Sequence, residues 1–239
     1  MTSAPLDILA IAAHRDDVEQ TCGGTLVKAA QRGQQTGILD LTQGEMGTRG
    51  TAEDRAQEAT NAARILGAGW RRALDIPDGR VENTWENRLK VANVIRETRP
   101  RVVILPYWKG RHPDHYTCSV LGYEACFLAG LAKIDPHSAP HRPFKIIYAT
   151  LYYDVRPTFV VDISQQFEQK FNSILAYKSQ FSDQEAGKDL FPAHDEIHAR
   201  VESMARYYGA LGGVTYAEPF LQKEVGLVED LLAIPVKSI

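Results

Sequence analysis

In the first half of the chain, short apolar runs alternate with stretches whose apolar residues recur at helical spacing. The runs at Leu6–Ala13, Gln35–Thr42 and Arg101–Tyr107 are typical of strands buried in a parallel sheet. Between them, Thr51–Ala68 has the periodicity of an amphipathic helix, and Thr51 suits its N-cap. Strand and helix signals in this order predict an α/β fold.

The remaining segments complete the predicted architecture. We expect further helices at residues 23–33, 86–100, 117–133, 165–181 and 194–211, further strands at 71–78, 145–153 and 158–164, and a mobile loop at 182–192. The pattern predicts one Rossmann-like, doubly wound domain with a mainly parallel sheet and helices on both faces. Its core spans about residues 5–135, and about residues 140–239 complete the pocket.

Two polar clusters follow predicted strands directly. The sequence HRDD, His14–Asp17, comes after the first strand, and HPDH, His112–His115, comes after the fourth. In the common strand order 3-2-1-4-5, strands one and four are neighbours at the point where doubly wound folds place their sites. We therefore expect the two clusters to face each other.

Together the clusters offer a set of side chains that suits a metal. Two imidazoles with a carboxylate form a catalytic zinc site that keeps a position open for water. Each cluster alone also fits a helix-capping turn, and their conjunction favours the metal site. The six candidate side chains are His14, Asp16, Asp17, His112, Asp114 and His115.

Composition narrows the function class. The chain of 239 residues is 44% hydrophobic and 24% charged, with a formal net charge of −3. Without a basic excess we expect no nucleic-acid partner, and without an apolar run of about 20 residues no membrane span. The N-terminus lacks the basic start of a signal peptide, and three cysteines suit reduced thiols, so we expect a cytoplasmic protein.

The two clusters also resemble motifs of a known family. AHRDDVE and HPDH are similar to motifs of the PIG-L/LmbE-like zinc-dependent N-deacetylases, and the resemblance covers nearly the whole chain. Arg15 stands where that family usually has proline. Four longer segments are more similar to the bacillithiol-biosynthesis deacetylase branch: residues 40–59, 106–115, 176–181 and 216–220.

The resemblance implies roles for individual residues. It makes His14, Asp17 and His115 the ligands of one zinc ion per chain, although such sites accept other divalent metals. Asp16 becomes the general base, and His112 becomes an electrophilic or acid partner whose pKa Asp114 raises.

Three arginines are candidates for substrate binding. Arg55 matches a family arginine, and Arg111 could join it in holding carboxylates, although an ion pair of Arg55 with Glu53 or Glu58 fits its helix position. Arg49 could contact the sugar or lie in a plain surface turn.

The resemblance also implies a reaction. We expect hydrolysis of an N-acetylglucosamine conjugate, most specifically N-acetylglucosaminyl malate in bacillithiol biosynthesis, by a homo-oligomer, a trimer or hexamer. Two alternatives stay open: another substrate, such as a chitooligosaccharide or thiol conjugate, and a non-catalytic sugar- or nucleotide-binding module.

Three further residues have less specific signals. Cys118 lies one helical turn beyond His115 and suits a buried thiol better than a ligand. His194 and His198 are spaced for one helix face, where they are solvated or line the pocket rim.

Overall fold

The computed structural model describes residues 4–135, 137–182 and 193–236, without the side chains of residues 194 and 195. The expected mobile loop therefore lies outside the described residues beyond Ser182. Among the described residues, no helix combines the length and apolar character needed to cross a membrane.

The described residues form seven strands in one sheet of order β3-β2-β1-β4-β5-β7-β6. The first five pair in parallel, and β7 pairs antiparallel with both β5 and β6. The predicted order around the first strand is confirmed, as is the mainly parallel sheet. The strands are β1 (Ile8–Ala12), β2 (Thr36–Asp40), β3 (Trp70–Ala73), β4 (Val102–Pro106), β5 (Lys145–Ala149), β6 (Phe159–Asp162) and β7 (Ala217–Leu221).

Helices cover both faces of the sheet. They are α1 (Asp17–Gln31), α2 (Ala52–Leu66), α3 (Trp85–Thr98), α4 (Pro113–Ala129), α5 (Phe167–Leu175), α6 (Lys178–Phe181) and α7 (His194–Gly212), and a 3-10 turn covers Leu231–Ala233.

Alternate residues of β1 face the two layers. Leu9 and Ile11 pack with apolar residues of α3 and α4, whereas Ala10 and Ala12 pack with α1 and with Leu66 of α2. This alternation is what a strand with a two-unit side-chain period gives when helices cover both sides.

Two helices begin earlier than the sequence predicts. Helix α1 starts at Asp17 rather than Gly23, and α4 starts at Pro113 rather than Thr117. Proline is well accommodated in a first helical turn, where its missing N–H has no intrahelical partner. The first turns of α1 and α4 therefore carry parts of the two polar clusters.

Helix α1 is bent at its centre. Cys22 has non-helical backbone angles. Just beyond the bend, the Glu218 carboxylate on β7 accepts hydrogen bonds from the backbone N–H groups of Gly24 (2.9 Å) and Thr25 (2.7 Å). Lys170 of α5 pairs with Glu218 at 2.6 Å and donates to the backbone oxygen of Gln20 at 2.8 Å. This buried pair therefore provides hydrogen-bond partners for backbone groups on both sides of the bend.

A second buried group holds the loop between β1 and α1. Arg71 of β3 binds Asp40 at 2.8 Å and Glu19 at 2.6 Å, and it also donates to the backbone oxygen of Arg15. The Tyr177 hydroxyl donates to that same oxygen. Burial raises the pKa of Glu19 to about 7 despite the opposing charge of Arg71. The loop that carries His14 thus rests on a polar network.

The capping of α2 is more complete than its sequence suggests. Thr51 and Asp54 form a reciprocal capping box, although such boxes prefer glutamate or glutamine at the second position. Strand β7 was not predicted, because Pro219 lies inside it and proline usually argues against a strand with neighbours on both sides.

Candidate metal centre

The parallel pairing of β1 with β4 brings the two polar clusters together. Ile8 lies opposite Val102 and Ala10 opposite Ile104, so both strands end at the same edge of the sheet. As a result, Nδ1 of His14 lies 3.1 Å from Nε2 of His115.

Three side chains converge with the spacing of metal ligands. The Asp17 carboxylate lies 3.4 Å from Nδ1 of His14 and 3.2 Å from Nε2 of His115. Ligand atoms about 2.0–2.1 Å from a tetrahedral zinc ion are about 3.3 Å apart, so these separations fit zinc. His14, Asp17 and His115 are the three ligands that the family resemblance implies.

The other ring nitrogen of His14 faces two more carboxylates. Its Nε2 lies 3.1 Å from Oδ1 of Asp78 and 3.4 Å from Oδ2 of Asp114. A metal-binding histidine commonly donates its second N–H to a carboxylate, which fixes the ring and makes the ligand more basic. Asp78 and Asp114 occupy that supporting position behind His14.

The cluster carries more negative charge than its neighbours offset. Burial lowers the pKa of His14, but hydrogen bonds with Asp114, Asp17 and Asp78 outweigh it and raise the pKa to about 12. Burial would raise the pKa of Asp17, yet the charges and hydrogen bonds of His115 and His14 hold it well below its usual range. Two buried carboxylates, Asp17 and Asp114, and the partly buried Asp78 surround the histidines, which is an environment that a divalent cation would neutralise.

His112 is an alternative third nitrogen ligand. Within the described part of the chain, ligand atoms of His14, His112 and His115 lie close enough to hold one ion. However, Nδ1 of His112 accepts the backbone N–H of Asp114 at 3.2 Å, as the N-cap of α4. A neutral His112 then carries its proton on Nε2, where it can donate to a substrate oxygen.

The charge of Asp114 acts on the pKa of His112 in the expected direction, but other effects outweigh it. The Asp114 carboxylate lies against His14 and accepts the backbone N–H groups of Gly79 (2.8 Å) and Val81 (3.2 Å). Among the described residues, the hydrogen bond from Asp114 to the His112 ring is made by the backbone N–H of Asp114 and not by its carboxylate. The pKa of His112 is lowered rather than raised, because burial and the charges of His14 and His115 outweigh the attraction of Asp114.

Asp16 is held by two hydrogen bonds. Arg55 of α2 donates to its Oδ1 at 2.7 Å, and Gln20 donates to its Oδ2 at 3.2 Å. Arg55 is therefore paired with the predicted base, and neither Glu53 nor Glu58 is its recorded partner. Glu58 instead accepts two hydrogen bonds from Ser179.

The other two candidate arginines have different surroundings. Arg49 is buried, and its guanidinium donates to the backbone oxygen of Gln180 at 3.2 Å, so it does not lie in the plain surface turn weighed as its alternative. Arg111 is exposed, and its guanidinium lies 5.2 Å from the ring centre of Tyr152. Of the three, Arg111 is the one presented to solvent.

Arg15 turns away from the metal cluster. It is 7% exposed, and its Nη1 donates to the backbone oxygen of Ala52 at 2.6 Å, at the start of α2. Burial lowers the pKa of Arg15. Its side chain joins two elements of the fold in place of the family's proline.

Cys118 and His198 have the surroundings of structural residues. Cys118 is fully buried in the apolar core, and burial raises its pKa well above the usual range. His198 packs edge-on against Phe171, with ring centres 4.6 Å apart, and lies 3.6 Å from Glu202. The side chain of His194 lies outside the described residues.

A small apolar cavity adjoins the cluster. Asp17 and His115 form one side of it, and the centre of a water-sized sphere can move within about 20 Å³. That is room for one group of water or methyl size. The rest of its wall is mainly apolar and includes Ala10, Ala12, Val18, Ile104, Ala149 and Leu151.

Sequence reasoning missed three polar residues of this site: Asp78, Gln20 and Tyr152. Asp78 carried a usable signal, because it follows β3 at the edge of the sheet where the other clusters lie. Gln20 lies one turn beyond Asp16, but its amide has no sequence signature. Tyr152 hydrogen-bonds to Gln20 at 2.7 Å from a loop far along the chain.

The chain is similar in sequence to known deacetylases. The family model of PIG-L, described as GlcNAc-PI de-N-acetylase, matches residues 9–126. A diacetylchitobiose deacetylase of Thermococcus kodakarensis is 33% identical over an alignment 231 residues long, which covers 88% of this chain and 80% of that protein.

Solved structures match over almost the whole chain. The conserved protein TT1542 from Thermus thermophilus is 41% identical, with a TM-score of 0.84 over 94% of this chain and 98% of its own. The N,N'-diacetylchitobiose deacetylase of Pyrococcus horikoshii, solved with an inhibitor, is 27% identical, with a TM-score of 0.79 over 89% and 82% of the respective chains.

Proposed function

The chain belongs to the PIG-L family of metal-dependent N-deacetylases, and we propose that it hydrolyses the acetamide of an N-acetylglucosamine conjugate with one zinc ion held by His14, Asp17 and His115. The observation that carries this assignment is the convergence of these three side chains, within 3.4 Å of one another, in a cluster with surplus negative charge.

Zinc at this position would lower the pKa of a water molecule and polarise the amide carbonyl. Side chains of the protein carry out the proton transfer and stabilise the developing charge. Asp16 removes a proton from the attacking water and then protonates the departing amine. Nε2–H of His112 donates to the oxyanion that develops on the carbonyl oxygen. The backbone N–H of Asp114 keeps that proton on Nε2, so His112 can act while neutral.

The small cavity has the size and character to accept the methyl group of an acetamide. Of the two sides of the amide, the sugar is large and polar and needs the open mouth of the site. The methyl group is apolar and fits the cavity of about 20 Å³ beside Asp17 and His115. An acetamide placed in this way has its carbonyl at the metal cluster.

Within this class we propose N-acetylglucosaminyl malate, as in bacillithiol biosynthesis, because exposed cations flank the HPDH cluster. Lys109 and Arg111 both lie in the loop after β4, and both are exposed. An arginine can bind a malate carboxylate through two parallel hydrogen bonds. Arg55 pairs with Asp16 and therefore serves the reaction on any substrate. Arg49 supports the fold near the site through Gln180.

The substrate assignment is tested by two arginine variants assayed on two substrates. Arg111→Ala should raise KM for N-acetylglucosaminyl malate by about tenfold while leaving a neutral substrate such as diacetylchitobiose nearly unchanged, since a charged hydrogen bond contributes about 1.5–3 kcal/mol. Arg55→Ala should slow both substrates alike. Equal effects of Arg111→Ala on both substrates would exclude the carboxylate contact and favour a neutral sugar conjugate.

The function itself is tested by metal analysis and amine release. Purified protein should contain one zinc per chain and release free amine, detected with fluorescamine, from N-acetylglucosamine glycosides. Asp16→Asn should keep the zinc and lose turnover by about 100–10,000-fold, the range for general acid–base catalysis. Asp75→Asn, at an exposed carboxylate paired with Lys90, is the matched control. Protein that holds no metal and gains no activity with added zinc would instead be a binding module.

We also propose a homo-oligomer, a trimer or hexamer. The segment after β7 exposes large apolar side chains, with Val225 97%, Leu227 94% and Leu232 92% exposed. Apolar side chains grouped in this way commonly mark a protein interface. Light scattering should give three or six times the chain mass, and replacing Leu227, Leu231 and Leu232 by serine should reduce it. A monomer at assay concentrations would refute this assembly.

A further inference from the structure

Tyr152 lies in the turn after β5 with an unusual backbone conformation. Its φ of 52° is in the left-handed region, which non-glycine residues rarely adopt. Its side chain is 55% exposed, so burial of the ring does not account for that conformation. Such backbone angles persist where surrounding contacts hold them, often beside functional sites.

The contact that holds Tyr152 is a hydrogen bond to α1. Its hydroxyl donates to Oε1 of Gln20 at 2.7 Å. The same Gln20 side chain donates through Nε2 to Oδ2 of Asp16 at 3.2 Å. A chain of two hydrogen bonds therefore runs from the loop after β5 to the proposed base.

The chemistry of Asp16 determines which group donates and which accepts in each of these two hydrogen bonds. An ionised carboxylate only accepts hydrogen bonds, so Gln20 must present its NH₂ group to Asp16. Its carbonyl oxygen then faces Tyr152, whose hydroxyl can donate. Losing the hydroxyl would leave the amide free to rotate away from Asp16. Tyr152 thus holds the Gln20 side chain in place against the carboxylate.

Both oxygens of Asp16 are bound as a consequence. Arg55 occupies Oδ1 at 2.7 Å and Gln20 occupies Oδ2. Two donors from different elements fix the plane of the carboxylate, and reaction rates depend steeply on the placement of such groups.

Tyr152 also contacts the other half of the site. The guanidinium of Arg111, just before HPDH, lies 5.2 Å from the centre of its ring, within the range of a cation–π contact. One side chain therefore joins the loop after β4, the loop after β5 and the first turns of α1.

We propose that Tyr152 is a positioning residue that acts through Gln20 to orient Asp16 for proton transfer. This inference rests on the proposed function, because it takes Asp16 as the base. It assigns Tyr152 to catalysis without contact with the reacting atoms, so the loss of its hydroxyl affects kcat rather than KM.

The kinetic test compares four variants: Tyr152→Phe, Gln20→Met, the double variant, and Tyr153→Phe as the matched control. Tyr152→Phe retains the ring over Arg111 and should lower kcat about 5–20-fold with KM within about twofold, the size of a lost hydrogen bond. The double variant should be no slower than Gln20→Met alone, since Tyr152 acts through Gln20. Tyr153→Phe should stay within about twofold of wild type.

Two kinetic results would overturn the proposal. A rise in KM at unchanged kcat in Tyr152→Phe would mean that the hydroxyl contacts the substrate. Losses that multiply in the double variant would mean that Tyr152 and Gln20 act independently. Zinc content should match wild type in every variant, because none of these residues is a proposed ligand.

A second readout does not depend on turnover. In zinc-loaded, ¹⁵N-labelled protein, the side-chain NH₂ signals of Gln20, identified by their loss in Gln20→Met, should shift in Tyr152→Phe and stay in place in Tyr153→Phe. Unshifted signals would overturn the proposed contact even in an active enzyme. Conversely, wild-type protein that releases no amine while showing the expected shift would refute the proposed function and the catalytic role, but leave the contact established.

Discussion

Two groups of buried charges lie near α1, and they differ in their balance of charge. The metal cluster, defined as His14, Asp17, Asp78, Asp114 and His115, holds three carboxylates. Among the described residues their ion-pair partners are histidines, and the charge of Arg55 adds a longer-range attraction to Asp17. The Lys170–Glu218 pair joins one positive with one negative group at 2.6 Å, and each side chain also forms a hydrogen bond with a backbone group of α1.

The difference in balance separates a functional site from a structural one. In the Lys170–Glu218 pair, each charge is compensated within the fold, so the pair needs no further partner. In the metal cluster, compensation requires a protonated histidine with its pKa raised to about 12. A bound cation would relieve this imbalance. The two groups should therefore respond in opposite ways to metal and to mutation.

The largest effect is expected at Asp17. Asp17→Asn preserves the shape of the side chain but removes a charged ligand, so zinc should be lost and turnover should fall by about 10,000-fold, or about 5.5 kcal/mol. Zinc should raise the melting temperature of wild-type protein and leave that of Asp17→Asn unchanged, since a ligand stabilises only the state that binds it. Equal metal content and equal turnover in the two proteins would contradict its role as a ligand.

The Lys170–Glu218 pair should affect stability instead. Lys170→Met leaves Glu218 buried without its partner, and we expect the free energy of unfolding to fall by about 3–5 kcal/mol. Urea denaturation of metal-free protein measures this loss. Turnover per folded, zinc-saturated chain should stay within about tenfold of wild type.

A paired substitution provides the control for Lys170. The double variant Lys170→Met with Glu218→Gln removes both charges and should recover much of the lost stability, while the glutamine oxygen can still accept a hydrogen bond from α1. Failure to recover stability would show that the pair acts through its geometry rather than its charge balance.

A smaller effect is expected at Asp78, which belongs to the metal cluster without being a proposed ligand. Asp78→Asn should weaken zinc binding by about 10–100-fold, because the carboxylate behind a metal-binding histidine orients the ring and increases its basicity. Competition with a fluorescent zinc chelator measures this change. The matched control is Asp75→Asn, whose carboxylate lies at the surface. Unchanged zinc affinity in Asp78→Asn would show that Asp114 alone supports His14.

The sequence predicts the metal cluster better than it predicts the Lys170–Glu218 pair. The meeting of HRDD and HPDH follows from strand order, because strands one and four of a doubly wound sheet are neighbours and their carboxyl ends coincide. The position of Asp78 follows from the same rule, but a single acidic residue after a strand and a proline is common in turns. The sequence therefore predicts the centre of the site better than its support.

Long-range partners lay beyond the reach of sequence periodicity. Helical spacing offers Arg55 only its neighbours on α2, whereas its partner Asp16 lies in the loop after β1. Lys170 and Glu218 likewise meet because β7 inserts antiparallel between β5 and β6, and Pro219 concealed that strand. Side chains are paired by tertiary packing, which local patterns do not encode.

The smallest effect of a substitution is expected at Arg15, which stands where the family usually has proline. Arg15 directly follows the proposed ligand His14, and its guanidinium binds the backbone oxygen of Ala52 rather than a carboxylate of the metal cluster. Burial lowers its pKa most, the attraction of Asp40 opposes this shift, and the charges of Arg55 and Arg71 lower the pKa further. Arg15→Pro would lose one hydrogen bond and the attraction of Asp40, but it would remove a buried charge and stiffen the turn. These effects on stability oppose each other.

We therefore expect Arg15→Pro to change the free energy of unfolding by less than about 1 kcal/mol and kcat/KM by less than about threefold. Thermal denaturation and amine release measure both quantities. Arg15→Ala is the matched variant, because it loses the hydrogen bond without gaining the rigid turn and should be the less stable of the two. If both variants lost activity more than tenfold at unchanged stability, Arg15 would belong to the reacting site. It would then have to be counted with the metal cluster rather than with the residues that support it.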